Sequence, residues 1–390
     1  MSDPFQLAQR LQERRQQHLY RRRRLLESAQ QARVQCDGRN LLNFCSNDYL
    51  GLANHPLLIK ASQRAAEKFG FGSGASHLVI GHSTLHHELE ERLADWVGCQ
   101  RALLFSTGYM ANVGVISALL ERGDTVLQDK LNHASLLDGA LLSRGQMQRY
   151  QHNNLESLEQ RLQQASGRKL VVTDSVFSMD GDIASLEDIA GLCRQHDAWL
   201  MVDDAHGLGV LGQGHGCLAQ YHLSSQQVPI YMGTLGKALG SFGAFVAGSD
   251  DLIEFLIQAA RSYIYTTAMP PAVAAASLAS LSLLETESFR VDKLQSLIAR
   301  FTQAAEKLAL PVMPSSTAIQ PLLVKDSERA LQVSEFLLEH GFLVGAIRPP
   351  TVPAGSARLR ITLTAEHSEQ DVDALLDVLV CALQHIPDGE

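Results

Sequence analysis

A single lysine, Lys237, stands between two glycines in TLGKALGSFGAF (234–245), a stretch otherwise apolar or small. Desolvation disfavours the charged form of an amine, so a lysine held dry there becomes a nucleophile near neutral pH, able to form a Schiff base with a carbonyl. The small neighbours leave room for a flat ring against the backbone. A lysine snorkelling from a glycine-rich turn into water is the plainer alternative.

Four further stretches put polar groups directly after apolar runs. ALLFSTGYMAN ends one run in Ser106, Thr107, Gly108 and Tyr109 and opens a helical pattern. The free N–H groups and positive dipole end of that helix would receive a phosphate, although an ordinary capped helix reads the same. WLMVDDAHG drives another run into Asp203, Asp204 and His206. Two carboxylates at a buried strand end need an answer, which a protonated ring nitrogen, a metal ion or a capping role would each supply. VTDSVFSMDGD (172–182) contributes Ser175, Ser178, Asp180 and Asp182, and LNHASLLDG contributes His133, which taken alone reads as structural. Thr234 precedes Lys237 by three residues. Together these stretches meet the separate needs of pyridoxal 5′-phosphate (PLP): a phosphate cradle, a pyridinium partner, a phenolic-oxygen partner and a Schiff-base lysine.

The groups meet only if the runs before them are neighbouring strands. RALLF (101–105), TVLQD (125–129), KLVVTDSVF (169–177), AWLMVDD (198–204), PIYMGT (229–234) and GAFVAG (243–248) read as strands, with helical periods near 84–97, 109–120, 155–165 and 186–196. Such alternation predicts a largely parallel sheet between helices, with its site at the C-terminal strand ends. MPP (269–271) starts a further helix. Beyond it, helices near 291–309, 328–340 and 368–384 and strands AIQPLLV (318–324), FLVGAI (342–347) and ARLRITL (357–363) make a smaller α+β domain. Residues 5–30 read as a polar helix carrying RRRR (21–24), and the chain then runs extended to Cys45. The expected division is an N-terminal arm and extended segment (1–45), a large domain (46–285) and a small C-terminal domain (286–390).

Composition bounds the function classes. The 390 residues are 45% hydrophobic and 19% charged, which suits a globular chain with a large core. With 33 Lys and Arg against 42 Asp and Glu, the formal net charge is −9, and nothing global favours nucleic acid. The polar N-terminus lacks the apolar core of a signal peptide, and no apolar run reaches the roughly 18 residues of a membrane span, so a cytoplasmic protein is expected. Six cysteines without a CxxC pair read as reduced packing residues.

In one order along nearly the whole chain, NFCSNDYLGL, FGSGASHLVIG, SVFSMDGD, VDDAHG, TLGKALG and RPPTVPAGSARLRITL resemble the α-oxoamine synthases among the fold-type I PLP enzymes. The resemblance implies an α/β fold-type I PLP-dependent transferase. Its large domain would hold a mostly parallel seven-stranded sheet between helices, beside a smaller C-terminal α+β domain. It implies PLP as cofactor, bound covalently to Lys237, with Asp203 rather than Asp204 paired to the pyridine nitrogen. His206 and Ser178 would lie near the phenolic oxygen, His133 would stack on the ring, and Gly108, Tyr109 and Thr234 would hold the phosphate. Lys237, His133, Asp203 and His206 are the implied catalytic set. Asn47 and Arg360 match the substrate carboxylate region, and Arg21 and Thr351 match acyl-substrate or cofactor contacts.

The final segment and basic N-terminus are most like members that condense L-alanine with a pimeloyl thioester, carried on an acyl carrier protein or coenzyme A. A sibling using glycine or serine with another acyl-CoA is the alternative. Members are homodimers with the site at the interface, which makes YTTAMPP (265–271) a candidate for reaching a partner's phosphate. Residues 75–82, ASHLVIGH, depart from the glycine- or arginine-containing versions of relatives.

Other motifs read as incidental. GLGVLG (207–212) matches GxGxxG but is followed by QGHG where a dinucleotide site needs a helix. The glycine–lysine pair at 236–237 lacks the other P-loop residues. His82, His86 and Glu90 have helical spacing for zinc, but a structural helix face is the expected reading, and no metal site is expected. The run Arg21 to Arg24 is either a solvated face or an attractor for an acidic carrier, coenzyme phosphates or a terminal carboxylate.

Overall fold

The structure is a computed structural model and describes residues 3–387. The chain divides into two compact units. One comprises residues up to Asn47, Met179–Gly181 and the segment from Lys293 on; the other comprises Asp48–Ser178 and Asp182–Asp292. Strands are numbered β1 (Arg33–Cys36), β2 (Arg39–Asn43), β3 (Arg101–Phe105), β4 (Thr125–Asp129), β5 (Gln146–Tyr150), β6 (Lys169–Asp174), β7 (Ala198–Asp203), β8 (Ile230–Thr234), β9 (Ala244–Gly248), β10 (Ile319–Lys325), β11 (Phe342–Leu343), β12 (Gly345–Ile347) and β13 (Ala357–Thr362).

The larger unit holds a seven-stranded sheet in the order β3-β9-β8-β7-β6-β4-β5. β9 runs antiparallel to both its neighbours, and the other pairings are parallel. All five residues of β4 and all five of β9 are buried, as strands covered on both faces must be. Phe105, Val115, Ile116, Val172, Met201, Met232 and Val246 belong to one core cluster, each side chain worth roughly 1.5–3 kcal/mol of burial. Six of the seven strands match the apolar runs of the sequence. The seventh, β5, is an edge strand of sequence QMQRY with only Tyr150 buried, so it carries no apolar signature.

A half-buried ion cluster joins this edge to the loop after β6. His152 bonds Asp129 through Nδ1 at 2.9 Å and Asp182 through Nε2 at 2.7 Å, while Asn153 donates to both carboxylates. Burial alone would lower the His152 pKa, but hydrogen bonds to Asp129 and Asp182 raise it to about 10. A raised histidine pKa contributes stability that is complete below the unfolded value near 6.5 and lost as pH rises through about 10. His152→Gln is therefore expected to lower unfolding stability by about 3–5 kcal/mol near pH 6. The loss should shrink as pH approaches 10. Urea unfolding at several pH values checks this, and a loss that is the same at every pH would contradict it.

In the smaller unit, β1-β2-β11 form one three-stranded sheet and β10-β13-β12 another. FLVGAI, read from sequence as one strand, breaks at Val344 and sends β11 to β2 and β12 to β13. The expected N-terminal helix over 5–30 is shorter than read: it spans Leu7–Gln16, buries no residue, and ends before His18, whose φ of 56° is left-handed. Arg21 to Arg24 lie outside it in non-helical chain. With no apolar face to dock, propensity alone cannot extend such a helix. All six cysteines are free thiols. No helix among the described residues is long and apolar enough to cross a membrane.

Candidate active site

At the C-terminal edge of the large sheet, a cavity of about 240 Å³ is lined by Gly108, Tyr109, His133, Ser178, Asp203, His206, Thr234 and Lys237. Every residue of the larger unit expected to touch a cofactor thus borders one space. Asn112, Ser135, Asp174 and Phe242 also line it and had no place in the sequence reading.

The cavity's anion-binding end follows from local geometry. Thr107 caps the helix Gly108–Leu119 by accepting a hydrogen bond from the Met110 N–H at 3.1 Å. The N–H groups of Gly108 and Tyr109 fall in the first turn, where no intrahelical acceptor exists. A Cβ on Gly108 would come within 2.9 Å of the Thr234 methyl, so only glycine lets the end of β8 approach the helix start this closely. Lys237 sits in the loop from β8 to β9, a turn closed by the Gly240 N–H donating to the Lys237 carbonyl at 2.8 Å. The lysine is half-buried.

Strand alternation sorts the two aspartates at the end of β7. Asp203 faces the cavity. Its Oδ2 accepts from Asn112 Nδ2 at 2.7 Å and its Oδ1 from the Ala205 N–H at 3.0 Å. Asp204 points the other way and accepts from Ser175 Oγ, from Tyr231 Oη at 2.7 Å and from the Cys217 N–H at 2.8 Å. Burial raises its pKa to about 6 against the pull of these donors. Asp204 is thereby a buried brace.

Asp174 lies beside Asp203 in register on β6. Burial first, and the Asp203 charge second, push its pKa well above the ordinary carboxylate value.

A hydrogen-bond relay sets His133. Asn112 Nδ2 donates to Ser135 Oγ at 2.9 Å, and both Ser135 Oγ (2.7 Å) and the Ser135 N–H (3.3 Å) reach His133 Nδ1. That nitrogen is therefore an acceptor and the ring neutral. Burial lowers the His133 pKa, Asp203 opposes that shift, and Lys237 reinforces it. His206 Nδ1 bonds Tyr49 Oη at 2.6 Å, a partner hidden in the sequence within SNDYLGL.

These residues fit a phosphorylated pyridine ring. N–H donors and Thr234 answer an anion at one end, and a buried carboxylate answers a ring cation at the other. The Asn112 Oδ1 atom beside that carboxylate is buried without a partner, one more acceptor where a cation is expected.

The four residues matched to substrate belong to the smaller unit and form two pairs. Arg360 donates to Asn47 Oδ1 at 3.1 Å, and Arg21 donates to Thr351 Oγ1 at 3.1 Å. Alternation along β13 puts Arg358 and Arg360 on one face, but Arg358 is engaged with Asp180 at 2.7 Å. A second cavity of about 840 Å³ in this unit is lined by Arg15, Arg22, Arg23, Arg24, Arg39 and Arg348, among others. Burial first, and the neighbouring Arg21 second, lower the Arg348 pKa. The GxGxxG match at 207–212 runs through turns and opens no dinucleotide-type helix.

Known proteins share this architecture and sequence. Residues 39–379 match the family Aminotransferase class I and II. A serine palmitoyltransferase variant from S. paucimobilis, solved with PLP and myriocin, superposes with a TM-score of 0.93 at 30% identity over 99% of both chains. The 8-amino-7-oxononanoate synthase of Francisella tularensis gives 0.79 at 30% identity, covering 88% of this chain and 98% of that one. The 8-amino-7-oxononanoate synthase of Pseudomonas putida (strain GB-1) is 60% identical over 376 residues, 96% of each chain. With a catalytic-type edge, a matching fold and that identity in hand, the chain belongs to the class I and II aminotransferases and, among them, to the 8-amino-7-oxononanoate synthases.

Proposed function

We propose that the protein condenses L-alanine with a pimeloyl thioester, releasing carbon dioxide and the free thiol carrier and leaving 8-amino-7-oxononanoate for biotin synthesis. The observation that carries this reading is the convergence of Lys237, Asp203, His133, His206 and the Gly108–Thr234 cradle on one cavity, in a chain 60% identical to such synthases.

PLP, when bound, supplies a sink for the electron pair left at the alanine Cα. Lys237 would hold the cofactor through its amine, and that amine would serve as the general base for the alanine Cα proton. Asp203 would lie opposite the ring nitrogen, and the His133 ring would pack on the ring face. The N–H groups of Gly108 and Tyr109 and the Thr234 hydroxyl would bind the phosphate, while His206 and Ser178 would hydrogen-bond beside the phenolic oxygen. Asn47 and Arg360 would bind the amino-acid carboxylate, and Arg21 and Thr351 would contact the acyl substrate or the cofactor. A homodimer in the cytoplasm, with YTTAMPP (265–271) reaching the partner's phosphate, completes the proposal.

Initial rates with alanine, glycine and serine against pimeloyl and other acyl thioesters test it, each acyl group offered on carrier protein and on coenzyme A. Alanine with pimeloyl thioester should be preferred by more than tenfold. A preference for glycine or serine with another acyl-CoA would make the protein a sibling α-oxoamine synthase.

The basic N-terminal run bears on the donor. Replacing Arg21 to Arg24 by glutamine should raise the KM for the thioester in a salt-dependent way and leave the KM for alanine unchanged. An unchanged thioester KM would reduce the run to a solvated segment.

A further inference from the structure

Apart from the cofactor cavity, the richest cluster of metal-type ligands surrounds the start of the helix Thr84–Val97. Sequence spacing pairs His86 with His82 and Glu90, but the fold removes His86 from that set. Its Nδ1 accepts from the Ser83 N–H at 2.9 Å in a capping box, and its Nε2 meets the Met269 carbonyl at 2.7 Å. His87 stands in its place. The ring nitrogens of His82 and His87 and a carboxylate oxygen of Glu90 all lie within 4.8 Å of one another. They border an open cavity of about 820 Å³ that the proposed chemistry does not use.

Two hydrogen bonds aim these ligands. His77 Nδ1 lies 2.9 Å from His82 Nδ1, so one of the two carries the shared proton. With that proton on His82, its Nε2 becomes a lone-pair donor, and Nε2 is the atom that faces Glu90 Oε2 at 3.8 Å. This is the outer-shell support that metal-binding histidines use. Glu90 is oriented in turn, since its Oε1 accepts from the Leu104 N–H at 3.0 Å and leaves Oε2 toward the histidines. Arg101, the nearby cation, is committed to Glu254 at 3.4 Å and Asp250 at 4.0 Å. Glu91, 3.4 Å from His87, adds a further carboxylate to the rim.

The backbone is built to bring His77 back to His82. Residues His77–Gly81 form one π-helical turn, a rare conformation that marks functional positions. A Cβ on Gly81 would sit 2.1 Å from the Ala75 carbonyl oxygen, so only glycine closes the turn. His87 and Glu90, three residues apart on the following helix, share a face.

We propose that His82, His87 and Glu90 bind a divalent transition-metal ion such as Zn²⁺, cross-linking the 77–81 turn to the helix behind it. Tetrahedral N and O ligands about 2.0–2.2 Å from zinc lie roughly 3.3–3.6 Å apart. The observed separations of at most 4.8 Å exceed this by little more than 1 Å. Two histidines and one carboxylate leave a fourth position for water.

The test uses the full-length holoenzyme without a histidine tag, stripped of metals by chelator and titrated with Co²⁺. One Co²⁺ per chain should bind with the intense visible absorption of tetrahedral coordination, and Zn²⁺ should displace it. His87 is exposed, so His87→Ala should fold normally and bind about 100-fold more weakly or worse. Co²⁺ binding should persist in Lys237→Ala protein freed of PLP. Absence of saturable binding, equal affinity in His87→Ala, or loss of the ion together with the cofactor would each overturn the site.

Discussion

Lys237→Ala is expected to leave protein that folds and associates with PLP only reversibly, while condensation falls by at least about 10²- to 10⁴-fold, the contribution of a positioned base. Losing the covalent attachment adds to that. The loop holding Lys237 is fixed by backbone bonds, Gly240 to Lys237 and Leu235 to Gly243, which an alanine preserves. Stability should therefore change little. Thermal unfolding and steady-state rates measured on the same preparation separate the two effects. A variant with more than a tenth of the wild-type rate would mean that another group performs the proton transfer.

Asp203→Asn should cost about 10²- to 10³-fold in kcat, on the scale of removing one electrostatic group aimed at developing charge. The geometry makes the swap costly in a second way. Both Asp203 oxygens accept hydrogen bonds, from Asn112 and from the Ala205 N–H. An amide can accept only one of these and must turn its own NH₂ toward the other donor. Part of the cofactor affinity should survive, because the phosphate cradle is untouched. Near-normal kcat would assign the ring-nitrogen role elsewhere, and Asp174, whose pKa burial raises, is poorly suited to take it. Asp204→Asn should behave differently, losing stability through its bonds to Ser175, Tyr231 and Cys217 and affecting kcat only secondarily.

Apolar runs ending in polar residues made most of the sheet and the site legible before any coordinates. Buried strands are continuous in hydrophobicity, so six strands declared themselves, and the residues after the five that run in one direction had to share an edge, which the antiparallel β9 enters from its start. β5 escaped because an edge strand needs little apolar surface. Residues 5–30 looked helical by composition, yet a helix with no buried face is not extended by tertiary contacts and stops at Gln16.

What sequence could not reveal is contact across elements. Asn112 and Ser135 act on Asp203 and His133 from two different helices, and Asp174 meets Asp203 only through the pairing of β6 with β7. One signal was available: Asn112 is a polar residue in the apolar stretch MANVGVIS, where a buried amide must have a partner. Resemblance singled out Asp203 over Asp204, and alternation along β7 supplies the physical reason.

Borohydride reduction of the purified protein, followed by peptide mass analysis, tests the central claim most directly. The account predicts a pyridoxyl adduct on the peptide containing Lys237 and on no other lysine, in near-stoichiometric yield. An unmodified Lys237, or an adduct on a different lysine, would contradict it.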